Sequence, residues 1–291
     1  MRDVAKGRQT GGDGGGRDGG HWYGRAIARP YMLLFFLLAA CAAPPAAAPT
    51  AAPAPVEITV FAAASLTDAF AEIGQQFSAA NPAVTVTFNM AGSQQLAAQL
   101  AQGAPADVFA SANTAQMTAA VDAGRVAADA PQPFVSNSLV VITPPDSTSV
   151  TTLPDLAKPG VRVVIAAPAV PAGQYALTFL DNAAQDSAFT AAFRTQVEAN
   201  IVSYEENVRA VLAKVALGEA DAGIVYISDV VSSDERPVVS IPIPATLNVV
   251  ARYPIAPISD APHPEAAQQF IDYVLSPPAQ AILARYGFGA P

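Results

Sequence analysis

Cysteine occurs once in 291 residues, at Cys41, so no internal disulfide can close and packing has to hold the fold. Charge is scarce too. Asp, Glu, Lys and Arg make up 13% of the chain against 52% apolar residues, because alanine fills places where lysine and glutamate usually sit. Positive charge is the rarer sign: from Cys41 onward nine Lys and Arg face 21 Asp and Glu, a net charge of about −12. That balance excludes nucleic acid as a partner, since its phosphates need a basic surface. Histidine is limited to His21 and His263, so no Cys/His cluster is available to hold zinc. His263 lies in a proline-rich Ala-Pro-His-Pro-Glu turn, and no Gly-x-Ser-x-Gly elbow supplies it with a nucleophile. The chain therefore reads as a protein without catalytic machinery and without a cofactor. No internal repeat is present.

Long apolar runs are confined to Tyr31–Ala40, ten residues preceded by Arg25 and Arg29 and followed by Cys41. This is the charged end and apolar middle of a signal peptide, too short to span a bilayer comfortably. Leu38-Ala-Ala-Cys41 resembles the lipobox of bacterial lipoproteins, in which an acylated cysteine becomes the N-terminus and anchors the protein in membrane lipid. The competing reading is an ordinary secretion signal with an incidental cysteine. The Gly-, Arg- and Asp-rich stretch before it has no apolar periodicity; it is disordered, part of a targeting segment, or the product of a misassigned start codon. Residues 1–40 are thus assigned to a disordered N-terminus plus lipoprotein signal, and 41–56 to an extended Pro/Ala-rich tether.

From Glu57 onward short apolar runs alternate with helical periodicity. The candidate strands are Ile58–Ala62, Val84–Asn89, Asp107–Ala110, Leu139–Ile142, Arg162–Ala166, Gly223–Ile227 and Asn248–Ala251. Leu66, Phe70, Ile73 and Phe77 fall on one helix face, as do Val208, Leu212 and Val215. Strands separated by helices predict the α/β class, with mostly parallel sheets flanked by helices. Further helices are expected around Ala266–Leu275 and Pro278–Tyr286.

Two junctions stand out. The first strand runs into Ala62-Ala-Ala-Ser65, and Ser65-Leu-Thr-Asp68 has the pattern of a helix cap. The second strand ends in Asn89-Met-Ala-Gly-Ser93, where Ser93 opens a helix carrying Leu96 and Leu100. Tiny side chains at the carboxyl end of a strand let a ligand approach the backbone, and ligands bind at that end of open α/β sheets. A hydroxyl, free N–H groups and a helix's positive end together favour an anion.

The segments FAAASLTDAFAEI (61–73), AGSQQLAAQLAQGAPADVFASAN (91–113), NSLVVI (137–142), VPAGQYA (170–176), ENVRAVLAKVALGEADAGIVYISD (206–229) and RYGF (285–288) together resemble the molybdate-binding proteins of ABC transporters, in order from about Glu57 to Phe288. The resemblance implies a two-lobed, type II periplasmic-binding-protein fold, with lobe 1 formed by 57–136 and 250–291 and lobe 2 by 137–249. It implies an extracytoplasmic, monomeric protein that holds molybdate or tungstate between the lobes and delivers it to a membrane permease. The implied ligand contacts are the hydroxyls of Ser65 and Ser93, the backbone N–H groups of Ala172 and Val208, and the Tyr226 phenol, with no metal bound directly by protein. Chain crossings near Phe134–Leu139 and Leu247–Tyr253 would form the hinge. Two positions depart from the family pattern: Gln94 stands where many members have a second serine, and Asn207 replaces a commoner acid. The alternatives are a protein for another tetrahedral oxyanion such as sulfate, another solute such as an organic anion or polyamine, a surface sensor with the same fold, and a hydrolase.

Overall fold

The computed structural model describes residues 54–231 and 237–291. The signal segment, Cys41 and most of the tether lie outside these residues. The chain begins with Val56–Ala63 (β1), a single 3-10 turn at Ala64–Leu66, Thr67–Ala80 (α1), Val84–Ala91 (β2), Ser93–Ala101 (α2), Val108–Ala110 (β3) and Thr114–Asp122 (α3). It continues through Gln132–Thr143 (β4), Val163–Ala166 (β5), Pro171–Gln185 (α4), Phe193–Ala199 (α5), Ile201–Glu205 (β6) and Val208–Ala216 (α6). It ends with Ala222–Tyr226 (β7), Ile227–Val231 (α7), Val239–Pro242 (β8), Val250–Pro257 (β9), Pro264–Leu275 (α8) and Pro277–Arg285 (α9).

The α/β expectation holds, as two lobes built on one continuous ladder ordered β2-β1-β3-β9-β4-β7-β5-β6. In the first lobe β1 pairs parallel with β2 and β3, and β9 closes the sheet antiparallel to β3. In the second lobe β5 pairs parallel with β6 and β7. The long strand β4 belongs to both. Its first part, as far as Ser138, pairs with β9, whereas Leu139–Ile142 pair with β7 and Val140–Thr143 with β8. The switch falls at Ser136-Asn-Ser138, polar residues that break the apolar run and shorten the strand legible in sequence.

Two strands have no counterpart in the sequence reading, and both are exposed. β6 is an edge strand whose Val202 and Tyr204 face solvent, so its apolar residues do not mark a buried run. β8 is short, mostly exposed and ends in proline. β9 extends well beyond Ala251 because Pro254 and Pro257, which argue against a central strand, sit where the ladder is irregular or ending.

The helices pack as their periodicity requires. Phe70, Ile73 and Phe77 of α1 are buried, and their rings meet Phe270 of α8 at centroid distances of 6.0 and 5.3 Å. This edge-on aromatic cluster, which also takes in Phe88 and Phe134, fastens the C-terminal helices to the first lobe. Each such ring stabilises the fold by roughly 1.5–3 kcal/mol through burial. In the second lobe Val208, Val211, Leu212 and Val215 of α6 are buried, and Val211 and Val215 lie against Gly223 of β7.

Candidate functional site

The carboxyl ends of all six parallel strands, β1, β2, β3, β5, β6 and β7, face the same cavity. Its wall is formed by Ala63, Ala64 and Ser65 after β1, Gly92 and Ser93 after β2, and Ala112 after β3. The second lobe supplies Val170, Pro171 and Ala172 at the start of α4, Asn207 and Val208 at the start of α6, and Tyr226 at the end of β7. The space among these residues is small, about 210 Å³ with the part open to solvent included. The small side chains of Ala63 and Ala64 leave this volume open. All five residues expected at the site, Ser65, Ser93, Ala172, Val208 and Tyr226, line it.

None of these wall residues is charged. What they present is hydrogen-bond donors. Ser93 and Val208 are the first residues of α2 and α6, and Ala172 is the second of α4, so their N–H groups precede the first intrahelical bond. Pro171 initiates α4 without an N–H to satisfy. Gly173 allows α4 to start close against β5: a Cβ there would stand 2.2 and 2.3 Å from the Ala167 and Ala166 carbonyl oxygens. Asn207 caps α6 by accepting the Ala210 N–H at 3.0 Å, which explains why an amide serves there as well as an acid.

The hydroxyls are held from behind. Ser93 Oγ, buried, accepts the Ala112 N–H at 3.0 Å, and its own proton goes to no acceptor among the described residues. Ser65 does not cap α1, contrary to its sequence pattern. It sits in the 3-10 turn before Thr67, where α1 begins without a side-chain cap; instead Ser65 Oγ lies 2.9 Å from the phenol of Tyr253. The cap pattern is overridden because β9 brings a buried phenol, 188 residues distant in sequence, up to that hydroxyl.

Tyr226 is 1% exposed, and its phenol oxygen has no hydrogen-bond partner among the described residues. Leaving a buried hydroxyl unpaired costs about 1–3 kcal/mol, and the polar neighbour that perturbs this one is the Tyr253 phenol, its ring centroid 5.9 Å away. Burial, then the neighbouring Tyr253, pushes the phenol well above its ordinary range, and it remains a donor at every physiological pH. Tyr253 is raised as well, chiefly by burial.

Sequence reasoning passed over three supporting residues. Tyr253 lay in a segment read as hinge. Asp229, wholly buried, accepts the Tyr226 N–H at 3.0 Å, and burial, only partly offset by Arg209, pushes its carboxyl up to about 7. Arg209 follows Val208, yet its guanidinium lies 3.0 Å from Asp68 and 3.8 Å from Asp229. The motif containing Arg209 and Asp229 was visible, but contact across the lobes was not. His263 does not line the cavity; its backbone N–H and that of Thr59 donate to the buried Asp107 carboxylate at 2.8 and 2.7 Å, tying down the chain before α8.

Comparison with known proteins gives a consistent outcome. Residues 58–289 match the family model described as bacterial extracellular solute-binding protein. The chain is 41% identical over 235 residues to the molybdate-binding protein ModA of Mycobacterium tuberculosis, covering 80% of this chain and 85% of that one. The periplasmic molybdate-binding protein of Azotobacter vinelandii superimposes with a TM-score of 0.70 at 20% identity, over 80% of this chain and 99% of that one. The sulfate-binding protein SubI of Mycobacterium tuberculosis superimposes with a TM-score of 0.71, also at 20% identity, over 80% and 86%. At that identity the two structures speak to the fold alone.

Proposed function

The chain belongs to the bacterial extracellular solute-binding protein family, and from that premise we propose that it captures molybdate, and by the same chemistry tungstate, between its lobes and delivers it to an ABC permease. The observation that carries this reading is the unpartnered Tyr226 phenol in a small, uncharged, donor-lined cavity. A relative sharing 41% of its residues, named for molybdate binding, supports the choice of anion.

Molybdate is fully deprotonated at neutral pH, so its oxygens only accept hydrogen bonds. Ser93 Oγ already accepts from Ala112 and is left to donate to the ligand. Ser65 does the same when Tyr253 donates to it, the orientation an anion favours. The N–H groups of Ala172 and Val208 and the phenol of Tyr226 complete the set from the second lobe. A hydrogen bond to a charged group is worth roughly 1.5–3 kcal/mol, so five offset a large part of the anion's desolvation. Helix N-termini spread the compensating charge without a buried lysine or arginine. Sulfate carries the same charge on shorter bonds, so discrimination rests on cavity size.

In the proposed cycle lobe 1 comprises 57–136 and 250–291 and lobe 2 comprises 137–249. They hinge at Phe134–Leu139 and Leu247–Tyr253, and the anion, contacted by both lobes, shifts the population toward closure. The Asn248 side chain supports this placement: Oδ1 accepts the Leu139 N–H at 3.0 Å and Nδ2 donates to the Leu139 carbonyl at 2.8 Å. The protein acts as an extracytoplasmic monomer, catalyses no reaction, and is tethered to membrane lipid through acylated Cys41. Titration calorimetry with molybdate, tungstate, sulfate and phosphate tests the reading. Heat with the two metal oxyanions is expected; silence with both, or binding of sulfate alone, overturns it. For the anchor, Cys41→Ser is expected to free the protein from the membrane fraction.

A further inference from the structure

Four side-chain amides from the first lobe reach across the cleft beside the cavity. Gln94 Nε2 donates to the Glu206 carbonyl at 2.9 Å, and Gln95 Nε2 to the Glu206 carboxylate at 3.1 Å. Asn113 Nδ2 donates to Gln174 Oε1 at 3.3 Å, and Gln116 Nε2 to the Ala169 carbonyl at 3.4 Å. The Gln94–Glu206 contact is also the one most closely built into the wall. The Gln94 amide folds over Gly92, so that a Cβ on Gly92 would stand 2.5 Å from both amide heavy atoms and 2.6 Å from the Glu206 carbonyl oxygen. Glycine at 92 lets donor and acceptor meet directly behind the cavity wall. Gln95 holds the same corner: its Oε1 accepts the Gly92 N–H at 3.1 Å while its amide nitrogen holds the Glu206 carboxylate.

Gln94 itself is not part of the cavity wall. We infer that Gln94, supported by Gln95 and Glu206, is a cross-cleft clasp: a positioning residue that retains the bound anion by slowing reopening of the lobes rather than by touching it. The inference rests on the proposed capture of an oxyanion between the lobes. A contact present only in the closed form stabilises that form without altering the ligand's own donors. Encounter takes place while the cleft is open and the clasp unmade, so the effect falls on release.

The test follows tyrosine fluorescence in stopped flow with sodium molybdate, for the natural chain, Gln94→Ala and Gln94→Met. Methionine keeps the bulk over Gly92 and has no donor. Both variants are expected to release molybdate roughly 3- to 10-fold faster, with association within about twofold of the natural chain. Unchanged release in both overturns the clasp, as does a Met variant that behaves like the natural chain while the Ala variant is fast, or an effect confined to association. If the natural chain binds no molybdate, the proposed function fails and the clasp is judged separately. Spin labels at the exposed positions Ala119 and Ser187, in a Cys41→Ser background without anion, then compare cleft widths. Longer distances in Gln94→Ala support the clasp, and superimposable distributions overturn it.

Discussion

The two walls of the cavity offer the same chemistry by different means. On the first-lobe side the donors identified are the hydroxyls of Ser65 and Ser93, propped by neutral groups, the Tyr253 phenol and the Ala112 N–H. On the second-lobe side they are main-chain N–H groups at the starts of α4 and α6 and the Tyr226 phenol, and the prop is a buried carboxyl, Asp229. The first wall is therefore sensitive to side-chain truncation. The second is sensitive to backbone chemistry and to the ionisation of one acid.

The largest expected effect separates the two props by pH. Asp229 titrates near 7 in the folded protein against 3.8 in its ordinary environment, so between about pH 4 and 7 the folded state holds a proton that the unfolded chain has released. Stability then falls as pH rises through that window, by at most about 1.4 kcal/mol per pH unit for one proton, and levels off above it. Thermal melts of Asp229→Asn are expected to lose this slope; an unchanged profile removes Asp229 as the cause. Arg209, Asp68, Tyr226 and Tyr253 are the charged and titratable neighbours of this carboxyl, and none of them is changed in the variant.

Next comes the backbone of the second wall. Val208→Pro removes one N–H at the first position of α6, where proline is tolerated, and Asn207 before it is already extended at φ −157° and ψ 169°. A loss of about 1.5–3 kcal/mol in molybdate affinity is expected by calorimetry, with Val208→Ala losing far less. Equal losses from the two would mean that the side chain, not the N–H, makes the contact. Tyr226→Phe is expected to weaken binding by about 1.5–3 kcal/mol while leaving the melting temperature unchanged or raised, because it deletes a buried unpaired hydroxyl. A large fall in melting temperature would show that the phenol already has a partner.

The smallest effect belongs to the first wall. Ser65→Ala and Ser93→Ala are each expected to cost about 1–3 kcal/mol of affinity. Ser93→Ala should also lower thermal stability, since it strips the Ala112 N–H of its buried acceptor. Unaltered affinity in both variants would place the anion elsewhere.

Much of this site could be read before any coordinates. Triple alanine into Ser65 and Gly92-Ser93 are local signals, because they describe a strand's end and a helix's start within a few residues. They sufficed to point to two hydroxyl donors and an anion, whereas Ala172, Val208 and Tyr226 were reached only through the family resemblance. Where the local signal was read alone it misled: Ser65 looks like a cap and is instead bonded to Tyr253. β6 and β8 escaped detection because half-exposed edge strands leave little hydrophobic pattern.

The amino-acid order by itself determined the α/β class, the helix faces and two small-residue junctions opening on Ser65 and Ser93, since each follows from the residue types within one or two turns of chain. Only the tertiary structure decided that six strand ends from two lobes meet on one small cavity, that Asp229 is buried beside Arg209, and that Gln94 spans the cleft. Those outcomes depend on pairs of residues far apart in the chain, and how closely such pairs approach is set by packing of whole sheets rather than by any local preference.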